Sequence, residues 1–301
     1  METFDLAVIG EGVTGLTAAQ AAAKAGLRVA TFETHIFGGL VINLNHLVDC
    51  ARDGGGADFA SELSMQCNEA GVTSHSEEVT GIEVSGTTKI VRTASGGYGA
   101  RAVIIASGAK IRRLGIPGEL DFEYRGVSQC ADCDGPMFQD QDIVVVGGGD
   151  AALQEAAVLA GYAKSVHLLH RGTAFRARPS LQEAIRSHAN VHVHFQTVAE
   201  AVIGDSGVDK VRVKQLADGT TREIPCAGFF AFPGLEPNSG FAPQAITRDA
   251  AGALVADANL ATPVAGVYVA GAVRSGYSGR LDDAIAEGGK TARAAIALVS
   301  D

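Results

Sequence analysis

The feature that most constrains the fold is a motif that occurs twice, a β-strand running into a glycine turn and then a helix of small residues. The first copy is the strand Phe4 to Ile9, the turn Gly10-x-Gly12-x-x-Gly15, and a helix carrying Ala18, Ala19, Ala22 and Ala23. Gly26 closes that helix, and a second strand over Leu27 to Phe32 ends at Glu33. The second copy is Ile143 to Val146, then Gly147-x-Gly149-x-x-Ala152, a helix over 151–160, and a strand over 165–169 ending in His170-Arg171. Such a unit makes a tight turn, lets backbone approach a pyrophosphate and packs its helix closely on the sheet. The first amides and the dipole of the helix favour phosphate. From the first glycine to the charged residue after the second strand is 23 residues in one copy (Gly10 to Glu33) and 24 in the other (Gly147 to Arg171). The chain is thus expected to be α/β, with two Rossmann-like, three-layer dinucleotide-binding domains.

The strand ends differ in charge. Glu33 stands where a carboxylate would accept adenosine ribose hydroxyls, whereas Arg171 would meet a 2′-phosphate better than a bare hydroxyl. The second site is therefore expected to prefer NADP over NAD.

Between the two copies lies Cys130-x-x-Cys133, ten residues before Ile143. Two thiols at this spacing can close a small reducible ring, and beside a nucleotide turn they suggest electrons moving between a nicotinamide or flavin and a disulfide. The other cysteines, Cys50, Cys67 and Cys226, are scattered, so the five form no secreted disulfide framework. A half zinc site would need a second close pair, which the chain lacks. His188 and His192-x-His194 have no cysteine or acid cluster beside them, and solvated strand and loop histidines are expected. No metal is expected.

A net charge of −10 argues against nucleic acid as a partner. No apolar run approaches the roughly 18 residues of a membrane span, and the chain enters a strand at once, so a cytoplasmic protein without a leader is expected. Loops are expected around Gly38-Gly39 and Gly54-Gly55-Gly56, a helix over 57–70, and an antiparallel meander over 79–84 and 88–93. Further strands are expected over 101–108, 191–195, 211–216, 227–232 and 266–271, and a final helix over 282–298. The segments 111–117 and 233–237 read as crossings between domains.

Several of these residues carry a family resemblance. Cys130-Ala-Asp-Cys133-Asp134-Gly135, the run Val-Val-Gly-Gly-Gly-Asp150-Ala-Ala, His170-Arg171, Phe175-Arg176-Ala177, Gly234-Leu-Glu-Pro-Asn238 and Gly266-Val-Tyr-Val-Ala-Gly271 resemble low-molecular-weight thioredoxin reductase over the whole chain. The resemblance implies an FAD domain over 1–112 and 240–301, with an NADPH domain over 113–239 inserted in it and rotating to present nicotinamide or thiols to the flavin. It implies a homodimer acting on a thioredoxin-like protein or a small disulfide. By position, Gly10, Gly12, Gly15, Glu33, Gly38, Gly39, Ala106, Gly108, Gly271 and Ala272 would hold FAD. Gly147, Gly149, Asp150, Ala152, Arg171 and Arg176 would hold NADPH. Cys133 would lie beside the flavin, Cys130 would attack the substrate disulfide, and Asp134 would move protons to and from the pair.

The chain departs from the family pattern at several of these places. Ala272 stands for the aspartate on the ribityl chain, and Leu40 for a glutamine. Val48-Asp49-Cys50-Ala51 replaces Asn-x-Pro-Gly, Leu281-Asp282 replaces Arg-Gln, and Gly172 stands for the second arginine after His170. One charge-assisted hydrogen bond, about 1.5–3 kcal/mol, is too little to abolish a tight FAD site. An NADPH-driven reductase is expected. Two alternatives stay open: the same flavin and dithiol with ferredoxin or another flavin as donor, or running as a dithiol oxidase; and a flavin-binding redox sensor without turnover.

Overall fold

The computed structural model describes residues 1–45, 47 and 54–300. The departures at 48–51 lie outside the described residues. The chain divides into two compact units, one formed by Met1–Lys110 with Glu236–Asp301 and the other by Ile111–Leu235.

The chain begins with β1 (Thr3–Ile9), α1 (Val13–Lys24) and β2 (Val29–Phe32). Gly26 ends α1 at a φ of +91°, its N–H reaching back to the Ala23 carbonyl. Then come α2 (Gly56–Glu69), β3 (Thr73–His75), β4 (Val79–Ser85), β5 (Thr88–Thr93), β6 (Gly96–Ile105) and β7 (Ala109–Ile111). The second unit holds β8 (Val127–Ser128), α3 (Ala131–Asp134), β9 (Asp142–Val146), α4 (Asp150–Ala160), β10 (Ser165–His170), α5 (Pro179–Ser187) and β11 (Val191–Phe195). It closes with β12 (Thr197–Gly204), β13 (Val208–Gln215), β14 (Thr221–Pro225) and β15 (Gly228–Ala231). The chain returns through β16 (Leu235–Pro237), which pairs with β7, to β17 (Val267–Val269) and α6 (Leu281–Ser300).

In the first unit β3, β2, β1, β6 and β17 are parallel neighbours. The ten-residue β6 serves two partners: its later residues pair with β1 and β17, and its earlier ones pair antiparallel with β5 in the β4–β5–β6 meander. Alternation along β1 makes the layers. Leu6 and Val8 face a core with Leu16, Ala18 and Ala22 of α1, Leu63 of α2 and Ala292 of α6, while Ala7 and Ile9 face the meander side. The expected strand over 266–271 stops at Val269, because Gly271 turns at φ +74° and opens a 3₁₀ turn through Val273. The expected loop after Gly38 contains a 3₁₀ turn over Gly39–Asn43.

The second unit has an all-parallel sheet in the order β11-β10-β9-β15-β8. One face packs on α4 and α5 through Ile143, Val145, Leu153, Leu159 and Ile185, and the other packs on an antiparallel β12-β13-β14 sheet through Val144, Phe229, Val202 and Val211. The strand expected over 211–216 is part of β13, and its partners β12 and β14 are not among the expected strands. Only Ile224 of β14 is buried, and register shifts in β12 blur its alternation.

Candidate active site

Cys130 and Cys133 are joined in a disulfide, with Cα atoms 5.3 Å apart. Strand β8 ends at Ser128, whose hydroxyl accepts the Cys130 N–H at 3.1 Å. Cys130 then caps α3, its Sγ accepting the Cys133 N–H at 3.1 Å. The turn continues into Gly135, where a Cβ would lie 3.0 Å from the Tyr162 ring, so glycine lets the turn settle there. Phe138 anchors it edge-on against Phe230. Cys133 is exposed, while Cys130 and Asp134 are half-buried. The described free thiols, Cys67 and Cys226, are buried, and burial pushes them up to about 11 and about 12, so neither is a nucleophile near neutral pH.

One side chain here escaped the sequence reading. Glu155 of α4 is buried at 7% exposure, and its Oε2 accepts the N–H of Ala131, the residue after Cys130, at 2.8 Å. Burial pushes this carboxyl up to about 7; the Ala131 N–H opposes that shift, and the charge of Asp132 adds to it. An acid three residues past Ala152 on an otherwise apolar helix face was the available signal.

The glycine turns fit dinucleotides. A Cβ on Gly10, at φ +102°, would strike the Ala106 carbonyl, and one on Gly15 would strike the Gly10 carbonyl. Among the described residues, a Cβ on Gly12 would meet Gly38 O at an ordinary 3.9 Å, and one on Gly149 would meet nothing within 4 Å. These are backbone floors on which a pyrophosphate could lie. Glu33 accepts the N–H groups of Glu11 at 3.1 Å, Thr34 at 2.8 Å and His35 at 3.1 Å, so its carboxylate is fixed at the end of β2. Beneath it, buried Glu11 accepts the hydroxyls of Thr31 and Ser74, each at 2.5 Å.

Ala272 carries no carboxylate, and the nearby acid does not replace one. Glu287 of α6 accepts the Gly271 N–H at 2.8 Å and pairs with Arg274 at 2.5 Å, so it is committed to bracing this turn. Leu40 is exposed in the 3₁₀ turn after Gly38 and Gly39, and Gly108 turns at φ +65°.

In the second turn, Asp150 accepts the Arg178 backbone N–H at 2.8 Å and forms an ion pair with its guanidinium at 2.7 Å, which ties the start of α4 to that of α5. Arg176 donates its N–H to the Gly148 carbonyl. The side chains of Arg171 and Arg176 are exposed and form no ion pair among the described residues. His170 lies in between, its Nε2 3.0 Å from the Ala174 carbonyl, and burial holds its pKa below the ordinary histidine value. A Cβ on Gly172 would lie 2.8 Å from that Nε2. The missing arginine is thus coupled to the inward histidine.

The histidines of β11 are less solvated than the sequence suggests. His192 is exposed, but His194 Nε2 sits 3.1 Å from His167 Nδ1, with Arg222 on its other nitrogen at 3.1 Å. Burial and the Arg222 charge push His194 down to about 4. Among the described residues no group of three or more His, Cys, Asp or Glu could hold a metal, and no helix is long and apolar enough to cross a membrane.

Two nucleotide-shaped turns and a reducible pair in one chain define a disulfide oxidoreductase of the dinucleotide-binding class. The model of the pyridine nucleotide-disulphide oxidoreductases matches residues 4–296. Thioredoxin reductase of Treponema pallidum is 37% identical, covering 99% of this chain and 98% of its own. The crystal structure of Lactococcus lactis thioredoxin reductase superimposes with a TM-score of 0.93 at 30% identity, and that of T. acidophilum with 0.91 at 26%, each covering 99% of both chains. The chain belongs to the pyridine nucleotide-disulphide oxidoreductase family and is an FAD-dependent disulfide oxidoreductase of the thioredoxin-reductase type.

Proposed function

We propose that this chain carries electrons from NADPH through FAD to the Cys130–Cys133 disulfide and on to the disulfide of a thioredoxin-like protein. The observation that carries the reading is the disulfide itself, formed at the start of a turn in the same unit as an open dinucleotide floor. Residues 1–112 and 240–301 hold FAD, through Gly10, Gly12, Gly15, Glu33, Gly38, Gly39, Ala106, Gly108, Gly271 and Ala272. Residues 113–239 hold NADPH, through Gly147, Gly149, Asp150, Ala152, Arg171 and Arg176. The protein acts as a cytoplasmic homodimer.

Bound FAD supplies the two-electron relay between nicotinamide and sulfur. Once the pair is reduced, the Cys130 thiolate attacks one sulfur of the substrate disulfide and releases the other as a thiolate. Cys133 then attacks the Cys130 sulfur, which closes the ring and releases the second substrate thiolate. Asp134, half-buried next to Cys133, supplies and removes the protons. A Cys133→Ser variant should therefore accumulate a covalent adduct between Cys130 and a thioredoxin-like substrate, seen by mass spectrometry. No adduct, or one on another residue, would sink the assignment.

A second reading keeps the flavin and the dithiol but takes electrons from another donor, and Gly172 against His170 favours it by leaving the phosphate-binding arginines at two. Anaerobic stopped-flow mixing decides between them. The first reading expects NADPH to bleach the flavin within the turnover time, and the second expects bleaching only far slower than turnover.

A further inference from the structure

Glu155 is positioned as no helix-packing residue needs to be. The two dinucleotide motifs align without gaps at an offset of 137 residues, Gly10 with Gly147, Gly12 with Gly149 and Gly15 with Ala152. In that register Glu155 of α4 corresponds to Ala18 of α1, which is fully buried. Ala18 shows that this place under a nucleotide turn suits a methyl group. The second unit instead buries a carboxylate there, at a desolvation cost, and directs it to the N–H of Ala131 inside the four-residue disulfide ring. Among its described residues the first unit has no such ring.

We propose that Glu155 is a positioning residue for the redox pair: it fixes the turn that joins the two sulfurs, and it takes up a proton when the disulfide is reduced, which governs how readily Cys130 becomes a thiolate. The inference rests on Cys130 as the attacking thiol.

The proton count balances. The disulfide and the Glu155 carboxylate, with two electrons and two protons, give the Cys130 thiolate, the Cys133 thiol and the Glu155 carboxylic acid. A carboxylate and a thiolate on either side of one amide repel, so each makes the other bind its proton more tightly. The carboxyl of Glu155, already raised to about 7 beside the disulfide, is placed to make this exchange near neutral pH.

The surroundings leave Glu155 to this role. From α3 the charged neighbour acting on it is Asp132, with Asp134 on the same turn. From β9, β10 and α5 the same core receives Ile143, Val145, Val166, Leu168 and Ile185. The titratable groups of those elements have other partners: Asp142 with Ser165, His167 with His194, His170 with the Ala174 carbonyl, and Glu183 with Arg186.

The test uses the reduced full-length holoenzyme and reads Cys130 alkylation by iodoacetamide against pH, with the site resolved by mass spectrometry. Glu155→Gln keeps an acceptor for the Ala131 N–H and removes the charge. Its Cys130 should react roughly three- to fivefold faster than wild type at pH 8 and at the same rate near pH 5.5, for a carboxylate–thiolate coupling of about tenfold. A ratio that stays at one across the range overturns the proposal, since a purely structural brace predicts that result. In a Glu155→Ala variant, a brace alone predicts an equal change at every pH, which would also count against the proton role. The wild-type enzyme gives an independent reading if the variants fail to fold. Its infrared difference spectrum on reduction at pH 8 should gain a small protonated-carboxyl band, under about a tenth of an equivalent, that moves on ¹³C-glutamate labelling, and a loss of carboxyl intensity or no labelled band overturns the proposal. Failure of Cys130 as the attacking thiol would appear separately, as absence of the Cys133→Ser adduct.

Discussion

The two nucleotide turns share one backbone solution and differ in how they treat charge. In the first, Glu33 ends β2 with its carboxylate fixed by three backbone N–H groups, above a second, buried acid at Glu11. In the second, the position aligned with Glu33 is His170, turned inward against Ala174, and the following Arg171 is exposed. Beneath the turns the contrast reverses, with Ala18 buried in α1 and Glu155 buried in α4. A glycine turn therefore specifies where phosphate can lie. The residues flanking it specify which nucleotide, and what else the unit does.

Exchanging the buried positions should break the comparison most severely. Ala18→Glu would drive a carboxylate into the core of the first unit, where no disulfide ring offers an amide. The expected loss is about 4 kcal/mol or more of stability, or failure to accumulate folded protein, measured by urea unfolding with FAD present. A variant within 1 kcal/mol of wild type would show that Glu155 needs no special partner either.

The reverse change, Glu155→Gln, should stabilise the second unit in a pH-dependent way. The carboxyl binds its proton more tightly in the folded chain, at about 7 against 4.5. Between those values the native state holds more protons than the unfolded one, so wild-type stability falls as pH rises through this window. At pH 8 the variant should be more stable by about 3 kcal/mol, and at pH 4.5 this difference should vanish. His194 runs the other way: its proton is held more weakly when folded, so its contribution is present above about 6.5 and is lost as pH falls towards about 4. Comparing the variant with wild type at each pH cancels that background.

What the sequence makes legible follows from the range of the interaction. The strand–turn–helix units are local, with their period and glycines inside one 30-residue window, and both appear where the pattern places them. The Cys130–Cys133 pair is equally local. Glu155 is not, because its partner lies 24 residues upstream and only folding brings α3 against α4. The inward turn of His170 depends on Ala174 and on the absence of a side chain at Gly172, which sequence shows as a missing arginine without showing what fills the place. Polar β14 carries too little alternation to be seen before β13 gives it a partner.

Removing the acid that distinguishes the first turn should sharpen the contrast. Glu33→Ala should weaken FAD binding by about thirtyfold, about 2 kcal/mol for hydrogen bonds to a charged acceptor, and leave NADPH affinity unchanged. Fluorescence of released flavin on dilution measures the first quantity and an anaerobic NADPH titration the second. Equal losses in both would mean that the change unsettles the whole chain.

The smallest effect should come from the opposite charge. Arg171 and Arg176 are the exposed cations after β10 without an ion pair among the described residues, and a guanidinium can meet a phosphate with two parallel hydrogen bonds. Arg171→Ala should lower the preference for NADPH over NADH by about tenfold, about 1.4 kcal/mol, and leave FAD content unchanged. Each arginine is solvated before it binds and gains less than a buried pair would, so the step should be modest. The double variant with Arg176→Ala should lower the preference further, the two sites adding unless both contact the same oxygen. If NADPH and NADH are used equally before and after, the arginines face no 2′-phosphate. The second turn would then keep its nucleotide geometry without this cofactor, and the donor would be sought elsewhere.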